Sequence, residues 1–181
     1  MKLNISTKLY AGFGIVIVGL VVAGAFALMQ LGSVGGKAEQ LFDENLSTET
    51  KTGIMRRDIL LMREQILQYP LAPAERRGEV SVAMAQLESA IATELADLRA
   101  QPGLTDSQKT ELDKTEAALV KWYAARDGGP VGKTDAGDLE GAANAALYGA
   151  GGAAFQDAFA AIGAFAAETS RVATEANESA K

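Results

Sequence analysis

The hydrophobic pattern of the chain changes twice. It opens on "LYAGFGIVIVGLVVAGAFALM", Leu9 to Met29, where no position is charged. About 20 apolar residues cross a bilayer core of ~30 Å. Each Val, Ile, Leu or Phe near its centre favours insertion by roughly 0.3–0.6 kcal/mol. Residues 9–30 are therefore expected to form a transmembrane helix behind a short N-terminus, residues 1–8. Gly19, Ala23 and Ala27 recur at every fourth position, a small-residue face that would let two such helices approach closely, although small residues are common in membrane helices anyway. The competing reading is a cleaved signal peptide with Ala25-Phe26-Ala27 as its A-x-A site. A signal h-region of ~7–15 residues is shorter than this run.

Past Leu31 the pattern becomes a 3-4 alternation: Leu31, Val34, Ala38, Leu41, Asn45, Thr48, Thr52, Met55, Ile59, Met62, Ile66, Tyr69. This is a heptad seam. It stops at Tyr69-Pro70, because the residue before proline avoids the α region. Asn45, Thr48 and Thr52 make its middle polar: a register device, the wall of a wet cavity, or a poor stretch of core. A second helix opens near Pro73 and carries Val80, Met84, Leu87, Ile91, Leu95 and Leu98 on one face, until Gln101-Pro102-Gly103 stops it. Thr105-Asp106-Ser107-Gln108 is a capping box that opens a third helix, with Leu112, Ala118, Leu119 and Trp122 apolar. Asp135 or Asp138 can cap a fourth, with Leu139, Phe155, Phe159, Ile162, Phe165 and Val172 on its face. The run Gly149 to Gly152 is a possible break in it.

The expected fold is all-α: a transmembrane helix continuous with an antiparallel, up-down four-helix bundle over residues 31–181. Its helices are placed at about 31–69, 73–100, 105–127 and 138–181. The first and fourth are much longer than the other two. Their other ends meet helices 2 and 3, so the excess lies at the membrane end, as a two-helix stalk.

Charge sharpens the topology. Before Lys37 the only charged side chains are Lys2 and Lys8, and the rest of the chain carries 15 basic and 23 acidic residues. The positive-inside rule puts the N-terminus in the cytoplasm and the bundle outside. An acidic bundle repels nucleic acid, which needs a basic patch. The chain has no cysteine and no histidine, so thiolate nucleophiles, Ser-His-Asp arrangements, His-ligated haem and zinc-finger sites are excluded. No metal or other cofactor is expected, and no carboxylate pair stands out for catalysis. Gly132-Lys133-Thr134 resembles the end of a phosphate-binding loop, but the glycine required five residues earlier is Asp127. Pro130 lacks the N–H that a phosphate cradle uses, and "LVKWYAARD" reads as helix, not strand. Nucleotide binding is rejected, and the segment is taken as the Gly-rich connection between helices 3 and 4 at the membrane-distal tip.

The apolar N-terminus, the unbroken run into "DENLSTETKTGIMRRDILLMREQILQYP" and the ending "ETSRVATEANESAK" resemble bacterial methyl-accepting chemotaxis receptors with a four-helix-bundle sensor domain. The same module is similar to those of histidine kinases and cyclic-dinucleotide enzymes. The resemblance implies a non-enzymatic homodimer in the bacterial inner membrane. It would sense a small molecule or a ligand-loaded periplasmic binding protein, with the bundle in the periplasm. It further implies that a chemotaxis histidine kinase and coupling protein are reached only through a cytoplasmic part absent from these 181 residues, so the chain is expected to be the N-terminal portion of a longer receptor. A membrane-tethered helical adaptor or scaffold that binds only a protein is the reading from a different class.

Candidate ligand residues come from spacing. Arg56 and Arg63, seven apart, share a face of helix 1, with Arg57 beside them. Counting back from Tyr69 puts them ~10–20 Å below the tip. Helix 3 brings Trp122, Tyr123 and Arg126 to that level, and helix 4 brings Tyr148. Guanidinium forks bind carboxylates bidentately, and aromatic faces stack rings. The bland alternative is that Arg56 pairs with Asp58 or Glu49 on the solvated face and Trp122 is core. In the family this part of helix 1 supplies basic residues to a ligand site at the dimer interface. The spacing here differs from that of amino-acid receptors, so ligand identity does not carry over.

Overall fold

The computed structural model describes residues 47–179. The expected membrane helix at 9–30, its small-residue face and the first part of helix 1 lie outside the described residues. Among the described residues no helix is long and apolar enough to cross a membrane.

Four long helices form an antiparallel bundle: α1 over 47–68, α2 (Arg77–Arg99), α3 (Asp106–Arg126) and α6 (Ala150–Ser179). The 3-4 seam of α1 is the inner stripe of the core. Thr48, Thr52, Met55, Ile59, Met62, Ile66 and Tyr69 are all buried. They meet Met84, Ile91, Leu95 and Leu98 of α2, Leu112, Leu119 and Trp122 of α3, and Phe155, Ile162 and Phe165 of α6. Two pairs fix the α3–α6 register. Gln108 reaches Thr169, and two heptads on, Trp122 meets Phe155.

The short connections behave as their residues dictate. α1 tightens into a 3₁₀ turn at Tyr69–Leu71, Ala72 is extended, and a second 3₁₀ turn at Ala74–Arg76 leads into α2. Gly103, at φ 84°, turns the chain between α2 and α3. The capping box forms as its sequence implies: the Gln108 N–H donates to Thr105 Oγ1 at 3.2 Å and the Thr105 N–H donates to Gln108 Oε1 at 2.9 Å.

The tip differs from a loop followed by one long helix. The segment after Arg126 stays helical. It widens into a π-helical turn at Asp127–Val131 and continues as α4 (Gly132–Asp135). Pro130 is the cause: in a regular α-helix its ring would strike the carbonyl four residues back. The wider turn avoids this, and the Gly132 N–H bonds Asp127 O, five residues away. A Cβ on Gly132 would lie 2.7 Å from that same oxygen. Gly137, at φ 83°, ends α4, with the Asp138 N–H on Lys133 O and the Gly137 N–H on Thr134 O, the Schellman pattern. Asp138 then caps α5 (Leu139–Leu147) by accepting from the Gly141 N–H at 2.9 Å. What the sequence offered as one fourth helix is thus two, α5 and α6, separated at Tyr148 and Gly149. Added Cβ atoms on Gly151 and Gly152 would come within 2.8 Å of Ala145 O and 2.6 Å of Leu147 O, so these glycines let the two helices meet closely. Leu139, expected on the inner face, is 46% exposed. It sits at the start of α5 and not on the long helix.

Gly128 and Gly132 should respond to alanine with opposite signs. A Cβ at Gly128 meets nothing within 4 Å, so Gly128→Ala should stabilise by about 0.5–1 kcal/mol through helix propensity. Gly132→Ala should destabilise by about 1–3 kcal/mol through overpacking. Urea unfolding of both variants measures the difference.

Candidate ligand site

Helical geometry divides the three arginines of α1. Arg57 points outward, with a side chain 64% exposed, and its Nε and Nη2 donate to Asp58 Oδ1 at 2.8 and 2.7 Å. Arg56 and Arg63, seven residues apart, turn toward α6. The Arg56 guanidinium carbon lies 5.0 Å from the Phe159 ring centroid, and that of Arg63 lies 4.0 Å from Phe155. Phe155 and Phe159 stack with centroids 5.7 Å apart. Neither arginine makes an ion pair among the described residues, and Arg63 Nη1 is buried without a hydrogen-bond partner. A cation over an aromatic face gains roughly 0.5–2 kcal/mol. That holds the guanidinium in place but supplies no acceptor for the buried Arg63 Nη1.

α3 supplies the other side. Trp122 is 2% exposed and packs edge-on to Phe155 at 5.5 Å, so it is core. It stacks with Tyr123 at 5.9 Å. Arg126 lies 5.1 Å from the Tyr123 centroid. Arg126 is buried but satisfied. Its Nη1 donates to Glu88 Oε2 and its Nε to Asp127 Oδ1, both at 2.7 Å. Burial alone would lower its pKa; the bonds to Asp127 and Glu88 outweigh that and raise it. The Tyr123 hydroxyl is buried without a partner. Burial, then the nearby Glu88 charge, pushes its ionisation well above the ordinary tyrosine range.

The structure therefore brings Arg56, Arg63, Trp122, Tyr123 and Arg126 into one cation–aromatic chain through Phe155 and Phe159. Tyr148 is not part of it. It is 84% exposed and lines a separate groove of about 630 Å³ with Gly128, Lys133 and Asn144. Arg57 faces solvent. Below Arg56 a groove of about 260 Å³ opens between α1 and α6, lined by Glu49, Thr52, Arg56, Thr169, Ser170 and Ala173. Phe155 and Phe159 were legible in sequence as core but not as arginine partners, because the α1–α6 register sets that pairing. Glu88 as the partner of Arg126 and the hydroxyl wall at Thr169 and Ser170 were missed for the same reason. Among the described residues no group of acidic side chains is arranged to hold a metal ion.

Residues 2–181 match the family model described as a four helix bundle sensory module for signal transduction, and the chain belongs to that family. The module is a non-catalytic signalling domain. No curated protein and no solved structure matches the chain.

Glu168, adjacent to the groove, is exposed to a pH test. Hydrogen bonds from Arg171 and then from Ser107 bring its pKa from 4.5 down to about 2. A depressed carboxylate pKa adds stability that is complete above the unfolded value near 4.5 and is lost as pH falls toward 2. Urea midpoints measured from pH 5 to pH 2 should fall less steeply for Glu168→Gln than for the parent.

Proposed function

We propose that this chain is the extracytoplasmic input portion of a bacterial chemotaxis receptor. Residues 9–30 anchor it in the inner membrane, with the N-terminus in the cytoplasm and the bundle in the periplasm; Lys2, Lys8 and the uncharged run support this orientation. It works as a homodimer through α1, whose Leu60 and Leu61 are 48% and 38% exposed. It binds a small anion, such as an amino acid or an aromatic or other organic acid, at the α1–α6 seam in the membrane-distal half.

The observation that carries this reading is how the four candidate arginines sort. Arg57 and Arg126 have carboxylate partners. Arg56 and Arg63, on the face toward α6, have aromatic rings and, among the described residues, no carboxylate. A ligand carboxylate supplies the missing acceptors, and charge-assisted bonds to it are about twice as strong as neutral ones.

The signal leaves through α6. Beyond Phe165 this helix is rich in small residues, Ala166, Ala167 and Ala173 among them, which interlock less deeply than leucines do. A helix shift of about 1–2 Å is a known switching mode.

A thermal-shift screen of amino acids and organic acids on the full chain tests the site. Stabilising carboxylates should lose at least about tenfold in affinity with Arg56→Ala or Arg63→Ala, the cost of about one charge-assisted bond. Arg57→Ala should leave binding unchanged. Hits that survive both the Arg56 and Arg63 substitutions would place the site elsewhere.

A further inference from the structure

The lower end of the bundle is built from a different material than its middle. Beside Leu98, Leu112 and Phe165, the buried positions there include Thr48 and Thr52 of α1, Gln108 and Thr115 of α3 and Thr169 of α6. Thr52 and Thr115 donate to carbonyls four residues back in their own helices, while the bonds of Thr48, Gln108 and Thr169 run to the short α2–α3 turn and its flanks. Gln101, at the start of that turn, accepts from the Thr48 hydroxyl of α1 through Oε1, and its Nε2 donates to Ser47 Oγ at 3.5 Å. Gln108, at the other end, works in two directions. Its Oε1 accepts the Thr105 N–H and closes the capping box, while its Nε2 donates to Thr169 Oγ1 of α6 at 3.3 Å. Gln108 and Thr169 are 4% and 5% exposed. A parallel link runs beside them: the Thr105 and Ser107 hydroxyls lie 2.9 Å apart, and Ser107 also bonds Glu168. One turn therefore grips both α1 and α6, and α6 continues past it to Ser179.

We propose that the α2–α3 turn is a polar clasp that sets the resting position of α6 and ties it to the integrity of the α3 N-terminus. Interlocked apolar side chains resist a shift over their whole contact, because an interior is close-packed. Hydrogen bonds between a glutamine and a threonine have discrete partners and re-form after a small displacement. Moving α6 costs the Gln108–Thr169 bond and leaves a buried amide unsatisfied unless Gln108 turns away, and turning away opens the capping box. The start of α3 and the lower half of α6 thus loosen or tighten together. As a control on signalling, the clasp rests on the reading of α6 as the output helix. As a coupling between two helices, it stands without any ligand.

Amide hydrogen exchange on the full chain in detergent, with no ligand added, tests the coupling separately from the ligand reading. Thr169→Val removes the acceptor on α6 and leaves the capping box intact. It should speed exchange of the first-turn amides of α3, from Gln108 to Leu112, about fivefold, the equilibrium factor of one ordinary net hydrogen bond. Thr105→Ala removes the cap on α3 and should speed exchange across residues 165–173 of α6 by a similar factor. Thr169→Ser and Thr105→Ser keep the hydroxyls and should match the parent. Loosening confined to the substituted helix in both variants would overturn the proposal. So would a Thr169→Ser variant that loosens α3 as much as Thr169→Val does.

Discussion

Met55, Ile59, Met62 and Ile66 of α1, each no more than 5% exposed, are the stripe against which the other three long helices are set. Each buried side chain of this size is worth roughly 1.5–3 kcal/mol, so this one face fixes the level and rotation of everything beside it. It aims Arg56 and Arg63, one position after Met55 and Met62, along the flank toward α6. It also aims Arg57 away. Above the stripe the chain turns through close backbone contacts made possible by Gly132, Gly151 and Gly152. Below it, methionine and isoleucine give way to threonine and glutamine.

That change of material divides the labour along the molecule. The middle is apolar and gripped by Phe155, Ile162 and Phe165. The flank beside it holds two guanidinium groups over phenylalanine rings, one donor of Arg63 buried without a partner. At the lower end, hydrogen bonds from Gln101 and Gln108 to α1 and α6 add to the apolar contacts. On the proposed reading, an event at Arg56 acts where α6 is well packed and is read out where polar contacts also hold α6. A few kcal/mol of differential binding is enough to shift such a two-position equilibrium.

The long helices were legible because burial repeats with the period of the helix. Every position of the 3-4 alternation from Thr48 to Tyr69 is buried, with Asp58, held by Arg57, the one buried α1 residue off it among the described residues, and Thr105 to Gln108 form the cap their spelling implies. The tip was not legible. "DGGPVGKTD" is dense in residues that usually end helices, yet the structure keeps it helical by widening one turn around Pro130. The split of the fourth helix at Tyr148 and Gly149 was visible only as a glycine run, since glycine permits a break without requiring one. Site residues were half legible. The spacing of Arg56 and Arg63 put them on one face, but only the register between helices says which aromatic or carboxylate each one meets. That is why Arg126 proves paired to Glu88, and why Tyr148, in the turn between α5 and α6, stands apart.

The central claim is that α1 and α6 move against each other when the seam is occupied. The most direct measurement uses paired cysteines, one on α1 between residues 49 and 56 and one on α6 between 166 and 176, introduced into this cysteine-free chain. Disulfide formation rates in membranes are compared with and without a carboxylate that stabilises the chain through Arg56 and Arg63. A shift of about 1–2 Å should speed some pairs and slow their neighbours one turn away. Equal rates at every pair, in chains shown to bind that carboxylate, would contradict the account.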